Sequence, residues 1–328
     1  MADFSLQVIR ATRADPPGKA TEPSRRALYG AALQQFDELV EASRASGHAA
    51  RPLPLFYAMS QAGRAIVAAH GREAKIGSHG LSEDRTVKSD DVLDRAVARR
   101  RSSDDALSAV CEALGIADPF GSEYERAPSI SMGAAWAALP RWHAWLPEWK
   151  AGWLPVLQAG SKGGDGRDHM DRRVMGLQGS RLAEPVSTGF DPLACRGYPQ
   201  LPSSAWYEPH AGQREIFRSD YLRLGTVRWE LGEDPRSVFD LTRSQGRERE
   251  RWLLPAPAGS DQAFEPITAW WILLFAMSIL ARYDPAVWSR ALDVDRSDRA
   301  VRLQLLLDEA LDVVPALVAA ALLSNGGG

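Results

Sequence analysis

The sequence predicts a mainly α (α+β) fold: a helical bundle formed by the N- and C-terminal helices, interrupted by a small β-containing insert. Three observations carry this prediction. Residues 53–70, LPLFYAMSQAGRAIVAAH, place Leu55, Met59, Ala62, Ile66 and Ala69 at three- and four-residue steps, which is the period of one helix face. Ile267 to Ala281, ITAWWILLFAMSILA, is apolar all round, as expected of a helix buried on every side. Between them, from Arg172 to about Pro257, the period changes to two. Tyr221, Val227, Trp229 and Leu231 fall on one face of a strand, and Pro and Gly cluster between such runs. Neither set of helices looks self-sufficient, so both are expected to share one core. The organisation that follows is an α-rich part at 1–158, a β-containing insert at 159–262, and helices at 263–328 that return to the first part, as one integrated domain or as separate ones.

Taken in order, Phe4, Leu6 and Val8 alternate and suggest a short strand over Phe4–Arg10. Asp15 to Ser24 is rich in Pro and charge and reads as a loop. Ser24 is a suitable N-cap for a helix through Ala45, with Leu28, Ala32, Phe36, Leu39 and Val40 on its apolar face. Pro54 suits the first position of the next helix, and Gly71 its left-handed C-cap. A strand over Val92–Arg99 and a helix from Ser103 to Leu114, closed by Gly115, follow. The run Arg99, Arg100 and Arg101 reads as a solvated strand end, with a phosphate contact as the alternative. Trp142, Trp145, Trp149 and Trp153 recur at helical spacing, although Pro140, Pro147 and Pro155 divide the segment. This seam reads first as core, and otherwise as a base-stacking platform. Strands are expected at Val174–Gln178, Tyr221–Leu231 and Arg251–Pro255. A buried helix over Phe264–Arg282, a short one opened by Asp284 and Pro285, and a last one starting at Asp295 or Ser297 complete the chain.

Composition narrows the function classes. With 45% hydrophobic and 25% charged residues the 328-residue chain is of ordinary globular type. A net charge of −3 argues against a globally basic nucleic-acid binder. Cys111 and Cys195 form no metal or redox motif, which fits a reducing, cytoplasmic setting. The N-terminus has no signal-peptide pattern, and Ile267–Ala281 is shorter than the ~20 residues of a bilayer span, so no membrane is expected. Gly160 to Asp168, GSKGGDGRD, reads as a flexible loop without the Gly-Lys-Ser/Thr ending of a P-loop. Asp165, Asp168 and His169 would make a poor metal site on so mobile a loop, and neither metal nor cofactor is expected.

The candidate site lies on and after the helix at 53–70. Ser60, Gln61 and Arg64 are polar residues within an apolar helix, and a buried arginine is costly without a carboxylate, a ligand or water. His70 ends the helix. His79 sits between Ser78 and Gly80, in a loop where backbone can approach a ligand closely. Arg282 ends the buried C-terminal helix and would join this pocket if the two helices pack together. The expected ligands are RNA or a nucleotide, with a protein partner as the alternative.

Two stretches resemble the YaaC-like family of bacterial proteins: Leu55-Phe56-Tyr57-Ala58-Met59-Ser60-Gln61-Ala62-Gly63-Arg64-Ala65 with Ser78-His79-Gly80-Leu81, and Leu273 through Pro285 followed by Trp288. The step from Trp136 to Pro140 fits the same pattern. This resemblance implies a fold rather than an activity. The spacing of Arg64 and His70, with five residues between them, is similar to that of HEPN proteins, helical bundles of which many are dimeric, metal-independent RNases in anti-phage defence. That likeness implies catalysis by Arg64 and His70, assisted by His79, with His as the base for a 2′-hydroxyl and Arg neutralising the phosphate. Six positions on a helix are ~120° apart around the axis, so the pair would need an unwound helix end or a second subunit in a homo-oligomer. The competing readings are a non-catalytic scaffold and a sensor of a phosphorylated small molecule held by Arg64, His79 and Arg282.

Overall fold

The computed structural model describes residues 2–74, 76–87, 89–100, 105–121, 129–140, 146–147, 153–154, 156–164, 169–177, 197–199, 206–209, 222–230, 239–242, 249–257 and 262–324. Of 2–3, 157–164, 169–177, 206–209, 222–230, 239–242 and 249–251 it describes the backbone alone. The chain forms two compact units, one of Met1–Ala135 with Pro266–Gly328 and one of Trp136–Glu265. The mainly α, α+β character expected from the sequence is what is found.

In the first unit the helices are α1 (Ala2–Thr12), α2 (Pro23–Ala45), α3 (Pro52–His70) and α4 (Ala106–Leu114). The short α5 (Met132–Ala137) runs into the second unit, and the chain returns as α6 (Pro266–Tyr283), α7 (Pro285–Leu292) and α8 (Ala300–Leu323). The expected strand at Phe4–Arg10 is instead α1. Ser5, Leu6, Ile9 and Thr12 are its buried residues, a three- to four-residue period, while Phe4 is 61% exposed. Three alternating positions are too few to separate the two periods.

α3 is the centre of this unit. Twelve of its residues are buried, and α2, α4, α6 and α8 all pack on it. Phe56 meets Phe275 of α6 edge-on at 5.2 Å between ring centroids. A Cβ built on Gly63 would lie 2.3 Å from Cη2 of Trp271. The two contacts run in opposite directions along the chain, so α3 and α6 are antiparallel, and Gly63 is the point where the large indole reaches the α3 backbone. α6 is long and apolar enough to cross a membrane by composition, but 78% of it is buried, and the buried residues from Pro266 to Ser278 surround it completely. It is the core helix that the all-round apolar pattern predicts.

The ends of α3 are held by charge. It begins at Pro52 rather than Pro54. Just before it, buried Arg51 donates to the carbonyls of Ser43 and Ser46 and to Asp308 of α8, which also accepts from His48. At the other end Gly71 is extended, with φ −65° and ψ 155°, not left-handed as expected. The carbonyls of this last turn are satisfied by cations from a distant segment. Arg25 donates to Gly71 O at 2.9 Å and to Arg72 O at 2.8 Å, and Lys19 to Gly71 O at 3.1 Å. Positive side chains at a helix C-terminus also face the favourable end of its dipole.

A small sheet, β1 (Leu81–Glu83), β2 (Ala96–Arg99) and β3 (Ile130–Ser131), is antiparallel in that order. Val92–Asp94, expected in the second of these strands, is a 3-10 turn capped by Asp91. α4 starts at Ala106 and is capped by Asp105, not Ser103; it closes at Gly115 as expected, and that glycine is left-handed.

The second unit carries a six-stranded antiparallel sheet in the order β6-β7-β5-β4-β9-β8: β4 (Leu157–Gly164), β5 (His169–Leu177), β6 (Trp206–Pro209), β7 (Leu222–Glu230), β8 (Phe239–Thr242) and β9 (Arg249–Leu253). The expected loop at Gly160–Asp168 is in part strand β4, which pairs with β5 through an irregularity between Ala159 and Lys162. Backbone pairing overrides a glycine-rich composition there. Asp165 and Asp168 lie outside the described residues. So do Trp142, Trp145 and Trp149 of the Trp seam, whereas Trp136 and Trp153 are buried. Val156, Trp252 and Leu254 form a core cluster with Ala263 beside it.

Candidate functional site

Apart from His70 at its end, the residues of α3 that are half-buried or exposed form one strip: Leu53, Pro54, Tyr57, Ser60, Gln61 and Arg64. Their spacing is that of a single helix face. Ser60 Oγ bonds back to Phe56 O at 3.1 Å, so its hydroxyl is used within the helix. Arg64 is half-buried, and no hydrogen bond or ion pair joins it to another of the described residues. Gln61 beside it is equally unengaged among them. Arg282, at the end of α6, donates to the Tyr57 hydroxyl at 3.2 Å. Its guanidinium lies 4.8 Å from the centroid of the Tyr283 ring. Asp284, a candidate acid for it, is taken by Arg95 at 2.5 Å. Arg282 therefore has no carboxylate among the described residues. Tyr57 and Arg64 are two turns apart, so the two guanidiniums border a strip ~10 Å long.

His79 reaches the same end of the strip from a loop that is strapped on both sides. Ala106 N–H donates to Ser78 O at 2.8 Å, and Arg100 N–H to Gly80 O at 2.8 Å. Gly80 has φ +77°, and a Cβ there would lie 2.4 Å from the Asp105 side chain, so only glycine allows the loop to close on α4. Asp105 caps α4 through Ser108 N–H at 2.8 Å and pairs with the nearly buried Arg99 at 3.0 Å. Arg99 also reaches Asp118 at 2.6 Å. This network holds the His79 ring 5.9 Å from Phe56 and 5.2 Å from Phe275, centroid to centroid.

Burial first, and then the charges of Arg100 and Arg282, push the His79 pKa below its usual value, and Asp105 offsets only part of this. The ring is neutral near pH 7. Leu81 N–H donates to Nδ1 at 3.2 Å, so the neutral ring carries its proton on Nε2. In this state His79 is a hydrogen-bond donor through Nε2 rather than a proton acceptor.

His70 is placed elsewhere. Its Nε2 lies 3.0 Å from Leu322 O of α8 and donates to it. It shares the packed face of α3 with Phe56 and Gly63, a third of a turn from Arg64. Of the expected set, the structure puts Gln61 and Arg64 on one helix face whose Tyr57 end meets Arg282 and His79, leaves Ser60 bonded to its own helix, and keeps His70 apart from Arg64. The run Arg99–Arg101 divides: Arg99 is the buried ion-pair residue and Arg100 is exposed beside His79, while Arg101 lies outside the described residues. Sequence reasoning missed Tyr57 and Arg100 as neighbours of Arg282 and His79. Tyr57 could have been found from its spacing, since it sits seven residues before Arg64 on the same face.

The two stretches of family resemblance meet at this place, through the rings of Phe56, His79 and Phe275. A family model described as YaaC-like Protein matches residues 5–322. The chain belongs to the YaaC-like family. No curated protein and no solved structure matches it. The YaaC-like chain gathers no three His, Cys, Asp or Glu side chains in a metal-binding group among the described residues. Its candidate site is built from cations, amides, hydroxyls and aromatic rings, a set suited to an anion.

Proposed function

We propose that this YaaC-like protein binds a phosphate-bearing ligand, RNA or a nucleotide, along the strip from Arg282 to Arg64. The observation that carries the reading is the unengaged guanidinium of Arg64 among the described residues, on one helix face with Gln61 and Tyr57 and in line with the acid-free Arg282. A half-buried arginine gives up part of its hydration, and a phosphate accepting its planar N–H fork restores it. The neutral His79 adds a donor that needs no protonation.

The catalytic form of the reading is a HEPN-like, metal-independent RNase of bacterial nucleic-acid processing or anti-phage defence, with Arg64 and His70 as its pair. It requires His70 to come from a second copy, or to leave the Leu322 carbonyl. One experiment separates the forms. Purified protein is titrated with a nucleotide panel by calorimetry and incubated with labelled single-stranded RNA. Binding should be weakened about tenfold or more by Arg64→Ala and by Arg282→Ala, as for hydrogen bonds to charged groups. RNA cleavage lost in both Arg64→Ala and His70→Ala supports the catalytic form. Absence of binding across the panel, or binding indifferent to Arg64, removes the reading in favour of a scaffold that holds a protein partner.

A further inference from the structure

Two exposed aromatic rings border the strip, and anion binding does not use them. Tyr283 is 69% exposed and Tyr57 44% exposed, and they are the exposed tyrosines among the described residues. Both touch Arg282: Tyr57 through its hydroxyl at 3.2 Å, and Tyr283 through its ring at 4.8 Å. A tyrosine left in water at a helix end gains nothing for the fold. Here its ring is oriented by the guanidinium that lies over it, because a planar cation is drawn to the face of an aromatic ring. The guanidinium lies over the Tyr283 ring, and at 69% exposure most of that side chain is left to water.

We infer that the ligand carries a flat heterocyclic base and that this base stacks on the open face of Tyr283, so that the site takes nucleotides rather than phosphate esters in general. The inference rests on the phosphate-binding reading above and adds a second determinant to it. The chemistry matches at both ends. A base offers a π-face that stacks on tyrosine whatever its sequence identity. Its phosphate then extends toward α3, whose strip from Tyr57 to Gln61 and Arg64 is ~10 Å long. Arg282 sits between the two and is fixed from both sides, so it loses little freedom when the ligand arrives. The α3 strip itself carries no acidic side chain, and Asp284 beside Tyr283 is paired with Arg95.

The test compares AMP with ribose 5-phosphate, which has the same phosphate and sugar and no base. Calorimetric titrations are made on the full-length wild type, Tyr283→Ala and Arg64→Ala. Tyr283 is exposed, so its truncation should not disturb folding. Wild type is expected to bind AMP about tenfold or more tighter than ribose 5-phosphate, the size of one base–aromatic stack. Tyr283→Ala should bring AMP down to the level of ribose 5-phosphate, while Arg64→Ala should weaken both ligands by the same factor. Equal wild-type affinity for the two ligands overturns base stacking and leaves the phosphate reading standing. A preference for AMP that survives in Tyr283→Ala overturns the assignment to this ring. Binding of neither ligand overturns both readings. A short single-stranded oligoadenylate distinguishes the source: tighter binding than AMP points to RNA, equal binding to a free nucleotide, and either supports stacking if Tyr283→Ala abolishes it.

Discussion

Burying a guanidinium is tolerable only beside a counter-charge, and this chain applies that rule at Arg99 rather than at Arg64. Arg99 meets Asp105 and Asp118, and its side chain is almost wholly enclosed. Asp105→Ala should therefore cost about 3–5 kcal/mol in a urea titration, since it strands a buried cation and removes the α4 cap as well. Arg64→Ala should change stability by no more than about 0.5 kcal/mol. Similar losses from both would mean that Arg64 has a structural partner and is not held ready for a ligand. His79 makes a second residue-scale case. Its folded pKa is lowered from 6.5, chiefly by burial. The unfolded chain therefore takes up the proton first as pH falls below ~6.5, and native stability drops until the folded pKa is passed. The stability advantage of wild type over His79→Gln should therefore shrink as pH is lowered from 7.5 to 5. A difference between the two proteins that does not change with pH would show that the ring is not desolvated in solution.

At the scale of elements, α3 does two jobs on two faces. Its packed face is legible in the sequence from Leu55, Met59, Ala62, Ile66 and Ala69, because burial imposes a period that needs no knowledge of the partner helix. The open strip was only partly legible. Arg64 and Arg282 stand out by their chemistry, yet their common face becomes visible only when α6 is known to run antiparallel to α3. The misplacement of His70 has the same origin, since five intervening residues satisfy a spacing while the helix turns the ring onto α8. The Gly71 cap was missed because its substitutes, Lys19 and Arg25, lie about fifty residues upstream. Glycines within helices make this scale testable. Gly30 in α2 has nothing within 4 Å of an added Cβ, whereas at Gly63 the Cβ would meet rigid ring atoms of Trp271 at 2.3 and 2.9 Å. Gly30→Ala should stabilise by about 0.5–1 kcal/mol from helix propensity. Gly63→Ala should destabilise by about 1–3 kcal/mol despite the same gain. Two shifts of the same sign in thermal melts would contradict the close α3–α6 contact.

For the whole molecule, the decisive fact is that one unit is built from both ends of the chain and the other from its middle. The apolar faces at each end are each insufficient alone, which is why the pairing of N- and C-terminal helices could be anticipated. The two units divide at Trp136, within α5. The two units also carry opposite pH terms. Burial pushes Glu265 of the second unit up to about 7 from 4.5, so above ~4.5 the unfolded chain gives up its proton first and stability declines as pH rises through that range. A fragment of residues 1–135 lacks the helix that Phe56 and Gly63 pack against. It should retain helical circular dichroism but show no cooperative urea transition, and adding a 266–328 fragment should restore one. A sharp transition in the first fragment alone would refute a shared core.

The same discontinuity has a consequence for how the protein is made. During translation, α2 and α3 leave the ribosome with a greasy groove that stays empty while 130 further residues of the middle unit, Trp136–Glu265, are synthesised. For that interval the nascent chain is a natural client for chaperones and proteases, and any premature stop ahead of α6 releases a product that can never bury its own interior.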